Sequence, residues 1–309
     1  MLVLLNKKAS GGNALKKWDN LVSQNLLGGS LNILDSDLPE SKIVPLVLAA
    51  LSKGETEFVA AGGDGTINYL LNLLINNLSV SELRSIKLGA IGIGSSNDFH
   101  KPFNSDRCNG IPTKLDFKNS TFRDVGCIEA IIDGNVVKKY FLINASVGIT
   151  ADANHFFNFP DYFLRYTKRI NTELSIFYAA IKTILRHKNF ELIISSNGTG
   201  TFKSKLTNIG IVKNPNFSGN LNYGGETDYC NGEFGIRLCY NMNKYEIIKL
   251  LYALNYGKFY EMLKTRSWEA NSIRLKSDQL FNIEYDGEVI QTDAATISIK
   301  QKLLQVCRC

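Results

Sequence analysis

The sequence lacks any uninterrupted apolar run near the roughly 20 residues that a membrane-spanning helix needs. Its opening apolar stretch, Leu2–Leu5, gives way at once to Asn6, Lys7 and Lys8. A secretory leader carries its charge ahead of a longer apolar core, so Leu2–Leu5 reads as a buried first strand. The expected setting is therefore the cytoplasm, free or resting peripherally on a membrane. Cys-x-x-Cys pairs are also missing among Cys108, Cys127, Cys230, Cys239, Cys307 and Cys309, and three histidines offer no metal-ligand spacing. This argues against a zinc or disulfide framework and leaves mostly reduced, structural thiols, with Cys307-Arg-Cys309 as a weak redox or metal hint. No internal repeat or low-complexity linker is present, which excludes repeat arrays. What remains is a folded chain of 309 residues, 44% hydrophobic and 21% charged, long enough for one large or two ordinary domains. Its net charge of +6 suits an anionic partner such as a nucleotide or an acidic lipid surface, and also many plain cytosolic proteins. Nucleic acid is not an expected partner.

Two textures divide the chain. In the first third, Leu2–Leu5, Ser30–Leu34, Thr56–Ala61 and Ile86–Ile93 read as strands. Amphipathic helical patterns lie between them over Ala14–Gln24, Ser41–Ser52 (with Pro45 near its first turn) and Thr66–Asn77. Strands alternating with helices predict βαβ units on a parallel sheet, which binds ligands beyond the carboxyl ends of its strands. From about Thr121 the pattern becomes hairpins, with Asp133–Gly134, Asn197–Gly198 and Asp286–Gly287 as turns. Helical stretches near Leu164–Arg186 and Lys244–Leu263 interrupt it. The expected architecture is an α/β domain over residues 1–123, completed by 291–309, and an antiparallel β domain over 124–290, with a cleft between them.

Three strand-to-helix turns stand at the same predicted sheet edge. They are Asn6–Ala14, Ala61–Thr66 and Gly92–Phe99. Gly62, Gly63 and Gly65 permit close approach to the backbone, and N–H groups at a helix start attract anions. Thr66, Ser95, Ser96 and Asn97 add neutral donors. A tight turn with Asp64 as a cap, and Asn97–Asp98 as a helix N-cap, are the plain alternatives. The last feature is Ile283–Ile290, where a hairpin turn exposes Asp286 and Glu288; a positioned carboxylate is what general-base chemistry requires.

Together these segments resemble the diacylglycerol-kinase catalytic family, which includes sphingosine and ceramide kinases. Gly62–Asn68 matches its Gly-Gly-Asp-Gly-Thr-x-Asn run, and Gly94–Phe99 its Gly-Thr-x-Asn-Asp-Phe with Ser95 for threonine. Asn6–Gly12, Asp124, Phe141–Gly148 and Asp286–Glu288 match further motifs in order. The resemblance implies a Rossmann-like α/β domain of the phosphofructokinase and NAD kinase type, followed by a β-sandwich lipid domain. It also implies ATP and Mg²⁺, a lipid hydroxyl as phosphoryl acceptor (diacylglycerol-like first), and phospholipid metabolism.

By the same resemblance Asn6, Ala9, Ser10, Gly11, Gly62, Gly63, Asp64, Gly65, Thr66, Ser95 and Asn97 contact nucleotide. Asp64, Asp98 and Asp124 arrange the metal directly or through water. Glu288 is the proton acceptor, and Asp286 belongs to the catalytic pair. Carboxylates near phosphates repel unless a divalent cation lies between them, so the set is chemically consistent.

Besides Ser95, the sequence departs from the family elsewhere. Tyr69 replaces an acid after Asn68, and the loop Gly224–Ile236 has Asn231–Gly232 where a metal-binding Asp-Gly is usual. Lys7, where proline is common, and Lys8 face either phosphate or solvent. A catalytically silent lipid- or nucleotide-binding homologue and an NAD kinase-like enzyme are the alternative readings. The segment Asp161–Lys188, with six Lys/Arg against two acids and interspersed aromatics, reads as an interfacial helix or as a packed helix with a solvated basic face. An exposed sheet edge offers a homodimer surface.

Overall fold

The computed structural model describes residues 1–24, 27, 31–103, 107–170, 172–225 and 228–308, the side chains of residues 169, 170, 172 and 173 excepted. Ser30 and Cys309, named above, lie outside the described residues. The chain divides into two compact units, Met1–Val125 with Gln301–Cys309, and Gly126–Lys300.

In the first unit, β1 (Leu2–Leu5), β2 (Asn32–Asp35), β3 (Glu57–Gly62) and β4 (Lys87–Gly92) form a parallel sheet in the order β2-β1-β3-β4. Strands covered on both faces read as unbroken apolar runs, and Leu2, Val3, Leu4, Phe58, Val59 and Ala60 are all fully buried. Helix α1 (Ala14–Ser23) buries Ala14, Trp18 and Leu21, one stripe at helical spacing. Helix α2 (Glu40–Ser52) buries Ile43, Val47 and Ala50 and carries Pro45 beyond its first turn. Helix α3 (Asp64–Asn77) starts two residues before the sequence pattern predicted.

A short helix, α4 (Val80–Ser85), was not anticipated. It begins with a capping box in which Ser79 Oγ accepts from Glu82 N–H and Glu82 returns the bond to Ser79 N–H. Beyond β4 come β5 (Arg107–Cys108), β6 (Ile111–Lys114) and β7 (Asp116–Ile132). β6 pairs antiparallel with β4.

The second unit is built on antiparallel ladders. Its strands are the end of β7, β8 (Asn135–Phe141), β9 (Asn144–Gly148), β10 (Phe190–Ser196), β11 (Gly200–Val212), β12 (Asn216–Phe217) and β13 (Leu221–Asn222). After them come β14 (Phe234–Tyr240), β15 (Thr265–Ala270), β16 (Ser272–Tyr285) and β17 (Glu288–Arg308). The end of β17 lies in the first unit, where Gln305 and Val306 run parallel to Lys87 and Leu88 of β4. β11 pairs with β10 along its first half and with β9 along its second; β16 does the same, shifting register between Lys276 and Phe281. Alternate residues of these strands fill one core that includes Phe141, Val147, Ile194, Ile211, Phe234 and Ile283. Each such side chain contributes on the order of 1.5–3 kcal/mol by leaving water. Gly126 pairs with Phe141, whose ring occupies the space that a Cβ at Gly126 would need, 2.2 Å away.

The stretch expected as one helix over Asp161–Lys188 is instead α6 (Tyr162–Ile170) and α7 (Thr172–Arg186), preceded by α5 (Ile149–Asn158). Helix α8 (Lys244–Leu254) ends well before Leu263. Asn255 follows it and Gly257 takes a left-handed conformation, a usual helix stop. Among the described residues no helix is long and apolar enough to cross a membrane.

Candidate active site

The three turns after β1, β3 and β4 do converge within the first unit. After β1, Asn6 donates its N–H to Ala61 O (2.9 Å) and its side-chain amide to Thr66 Oγ1 (3.1 Å). The chain then passes through positive φ at Ser10, Gly11 and Gly12. Open space surrounds Gly11 and Gly12 where a Cβ would stand, so a ligand could meet this backbone directly. Ala9 precedes the turn in extended backbone. Lys7 and Lys8 pair with Asp35 and Asp37 at the end of β2, each at 2.9 Å, and so are not solitary solvent-facing cations.

After β3, Gly63 caps α3, and the side chain of buried Thr66 lies over Gly62 where a Cβ would fall 2.2 Å from Thr66 Oγ1. Gly65 follows in the first turn of the helix. After β4, Gly94 donates to Gly62 O (3.0 Å), and a Cβ on Gly94 would sit 2.3 Å from Gly63 Cα. Glycine against glycine is thus what lets the second and third turns touch. Asn97, left-handed at φ 51°, gives both amide hydrogens to Gly92 O (3.1 Å) and Gly94 O (3.2 Å). It shapes the turn, and its side-chain amide has no hydrogen left for a ligand. Ser95, by contrast, is exposed.

The acidic residues are held in place by the backbone. Asp64 accepts from Asp98 N–H and Phe99 N–H, 3.0 Å each, one per carboxylate oxygen. It also lies in the first turn of α3, where the helix dipole favours negative charge. Asp98 is buried and salt-bridged to Lys101 at 2.7 Å. Asp124 is buried and accepts from Lys302 N–H at 3.1 Å. Among the described residues no three His, Cys, Asp or Glu side chains gather as a metal site. The donor chemistry nonetheless fits Mg²⁺, being carboxylate oxygen throughout.

Sequence reasoning missed the basic groups behind the third turn. Lys114 and Arg123 are buried, with their cations 5.7 and 5.9 Å from the Phe99 ring. Burial and the charge of Lys114 hold His100 neutral, pushing its imidazole down to about 3. Nothing in "PTKL" or "TFRD" distinguishes these cations from surface residues. Tyr69, in place of an acid, is half-buried, and burial plus the charge of Glu40 raises its phenol.

In the second unit, Asp286 and Gly287 take positive φ and join β16 to β17 with Tyr285 opposite Glu288. This is the two-residue turn whose twist suits a hairpin. Asp286 is buried and accepts from three N–H groups: Leu142 (2.8 Å), Ile143 (2.9 Å) and Asn144 (3.2 Å). Glu284 accepts from Ser146 Oγ (2.8 Å) and from Gly287 N–H (3.0 Å). Glu288 differs. Its surface is open to solvent, and no hydrogen bond or ion pair engages its carboxylate among the described residues. The surrounding protein still desolvates it enough to raise its carboxyl above the ordinary glutamate value, with Lys139 opposing.

The loop in which Asn231–Gly232 replaces the family's metal-binding Asp-Gly carries an ammonium. Lys213 Nζ, on a buried side chain, donates to Asn231 Oδ1 and Glu233 O at 2.9 Å each. The described cysteines are free thiols, and burial pushes that of Cys307 up to about 12.

Residues 1–136 match the diacylglycerol kinase catalytic domain. The chain carries the catalytic domain of a kinase. Over 271 residues it is 24% identical to the diacylglycerol kinase of Mycobacterium tuberculosis, covering 85% of this chain and 80% of that protein. Its fold is similar to that of a Bacillus anthracis str. Sterne protein assigned as a diacylglycerol kinase, with TM-score 0.69, 16% identity, and coverage of 100% of this chain and 96% of that one. A second structure of a diacylglycerol kinase from the same organism matches with TM-score 0.63 and 14% identity, covering 100% and 96%.

Proposed function

We propose that the chain is an ATP-dependent lipid kinase that transfers the γ-phosphoryl group to a hydroxyl of a diacylglycerol-like lipid, with Glu288 as general base. The observation that carries this reading is Glu288 itself. Among the described residues it alone of the motif carboxylates has no hydrogen bond or ion pair, and its carboxyl is raised toward the range where a base works best. Asp64 and Asp286 resemble it in sequence but serve two and three backbone N–H groups.

In this reading the backbone at Ala9, Ser10 and Gly11 and the turn Gly62–Thr66 receive nucleotide phosphates, with the exposed Ser95 hydroxyl as an added donor. Asn6 orients Thr66. Asn97 keeps the third turn in shape. Asp64, Asp98 and Asp124 would hold Mg²⁺ directly or through water. When bound, the ion would supply neutralisation of charge on the moving phosphoryl group. Glu288 takes the proton of the attacking lipid hydroxyl, and Asp286 fixes the hairpin that presents it. Contact with the membrane is peripheral, through the exposed aromatics of α6 and α7: Tyr162, Phe163, Tyr166 and Phe177.

Incubation with labelled ATP, Mg²⁺ and a total lipid extract tests this directly. A phosphorylated lipid is expected, and Glu288→Gln should lower turnover by about 10²–10⁴-fold with unchanged circular dichroism. Undiminished turnover in that variant removes Glu288 from the role. Phosphorylation of NAD with no lipid product would make the chain an NAD kinase-like enzyme. The Lys101–Asp98 pair favours one further reading, a silent nucleotide-binding homologue; it predicts Mg-ATP binding with no transfer to any lipid.

A further inference from the structure

Within the second unit, α5 and the end of α7 border a cavity of about 360 Å³ that none of residues 284–288 lines. Lys182, Arg186 and Lys188 place three cations on its wall; Asp152 is the one acid there. Lys182 is compensated by Asp161 and Tyr178, whereas Arg186 and Lys188 have no acidic partner among the described residues. Two lining groups are buried and unmet: His187 Nε2, on a side chain 2% exposed, and Thr183 Oγ1, on a residue 7% exposed. The other imidazole nitrogen, Nδ1, stands 3.4 Å from Asp152 Oδ2, and Asp152 Oδ1 accepts from Asn282 at 2.9 Å.

Leaving a buried imidazole nitrogen and a hydroxyl without partners costs on the order of 1–3 kcal/mol each, so the cavity is chemically incomplete when empty. A negatively charged ligand with acceptor oxygens and a hydroxyl answers the free cations, Thr183 Oγ1 and His187 Nε2, which accepts when Nδ1–H faces Asp152. The surroundings narrow the choice further. Phe156 and Phe159 line the cavity, Phe159 is 68% exposed, and Tyr162 just beyond is 87% exposed. Rings open to solvent beside a basic pocket suit a charged head on an apolar body at an interface.

We propose that this cavity holds the phosphate of an anionic glycerophospholipid headgroup in the bilayer, at a position other than that of the phosphoryl acceptor. The inference rests on the membrane contact proposed above and adds the lipid class and the residues that select it.

The test is sedimentation of the full chain with vesicles of phosphatidylcholine alone and of equimolar phosphatidylcholine and phosphatidylglycerol. The wild-type chain should bind both and prefer the second. Arg186→Ala with Lys188→Ala should weaken binding to the anionic vesicles about 30-fold, each cation near the surface accounting for about fivefold, and leave binding to neutral vesicles unchanged. Thr183→Val, nearly the same shape without the hydroxyl, should lower the preference about fivefold while Tm stays level or rises.

Equal loss in a control carrying Lys16→Ala and Lys53→Ala, two exposed cations of the other unit, would reduce the effect to diffuse charge and overturn the site. So would displacement by inorganic phosphate beyond that of chloride at matched ionic strength, which would mark a free-phosphate site. Binding to both vesicle types without preference would sink the cavity but keep the membrane contact. No binding to either would sink the membrane contact itself.

Discussion

Two Asp-Gly turns stand at opposite ends of the sequence, Asp64–Gly65 at the start of α3 and Asp286–Gly287 between β16 and β17. In sequence they resemble each other, and both invite a chemical role. In the structure both carboxylates bind backbone N–H groups, but to different ends. Asp64 joins two turns of the first unit by accepting from Asp98 and Phe99. Asp286 closes around a single bend, accepting from Leu142, Ile143 and Asn144 in succession. The one glutamate next to the second turn, Glu288, is left with neither duty. An acidic motif therefore contains two kinds of group, those that hold the backbone and the one that takes no backbone N–H among the described residues, which the proposed function makes the base.

Three substitutions separate these kinds, and the largest effect belongs to Asp286. Asp286→Ala leaves three buried donors unmet, and at roughly 1–3 kcal/mol per donor the combined cost should reach about 3–9 kcal/mol. Amide hydrogen exchange at Leu142, Ile143 and Asn144 should accelerate accordingly, and unchanged protection there would break the comparison. Asp64→Asn retains one acceptor and loses the charge, so about 1–2 kcal/mol of stability is expected in urea unfolding. If turnover falls far more than this loss accounts for, Asp64 acts on the metal as well as on the fold, which sharpens the contrast with Asp286.

Glu288→Gln should change stability least, by about 0.5 kcal/mol or less, and in the opposite direction at neutral pH. Because the folded-state carboxyl is raised, its contribution is complete below the unfolded glutamate value and is lost as pH climbs through the folded one. Wild type should thus lose ground to the glutamine variant across that window and hold a constant deficit above it. Melting curves at a series of pH values give the sign.

Much of this was legible in the residues. The apolar runs Leu2–Leu5 and Phe58–Ala61 could only be strands buried on both faces, and the glycines after them marked where turns had to pass close to one another. The motif order pointed to the kinase family before any geometry. The partners of the acids were not legible, because they are backbone N–H groups and a sequence does not show which amides are left over. Lys213 was equally hidden: its ammonium reaches Asn231 and Glu233, a cation supplied by the chain at the loop where the family's metal-binding Asp-Gly is missing. That Asp161–Lys188 forms two helices escaped because aromatic and basic residues recur on both sides of its middle. The cavity beneath α5 escaped because His187 and Thr183 become unusual only once they are buried.

The contact between Gly63 and Gly94 bears on folding as much as on binding. These glycines end neighbouring strands that are paired residue for residue, Gly62 opposite Gly92. A slip of one residue between β3 and β4 would turn each side chain to the wrong face and part the two turns. The proposed phosphate-binding edge would therefore work as a checksum on sheet assembly: a chain that mispaired its central strands would have no such site to offer.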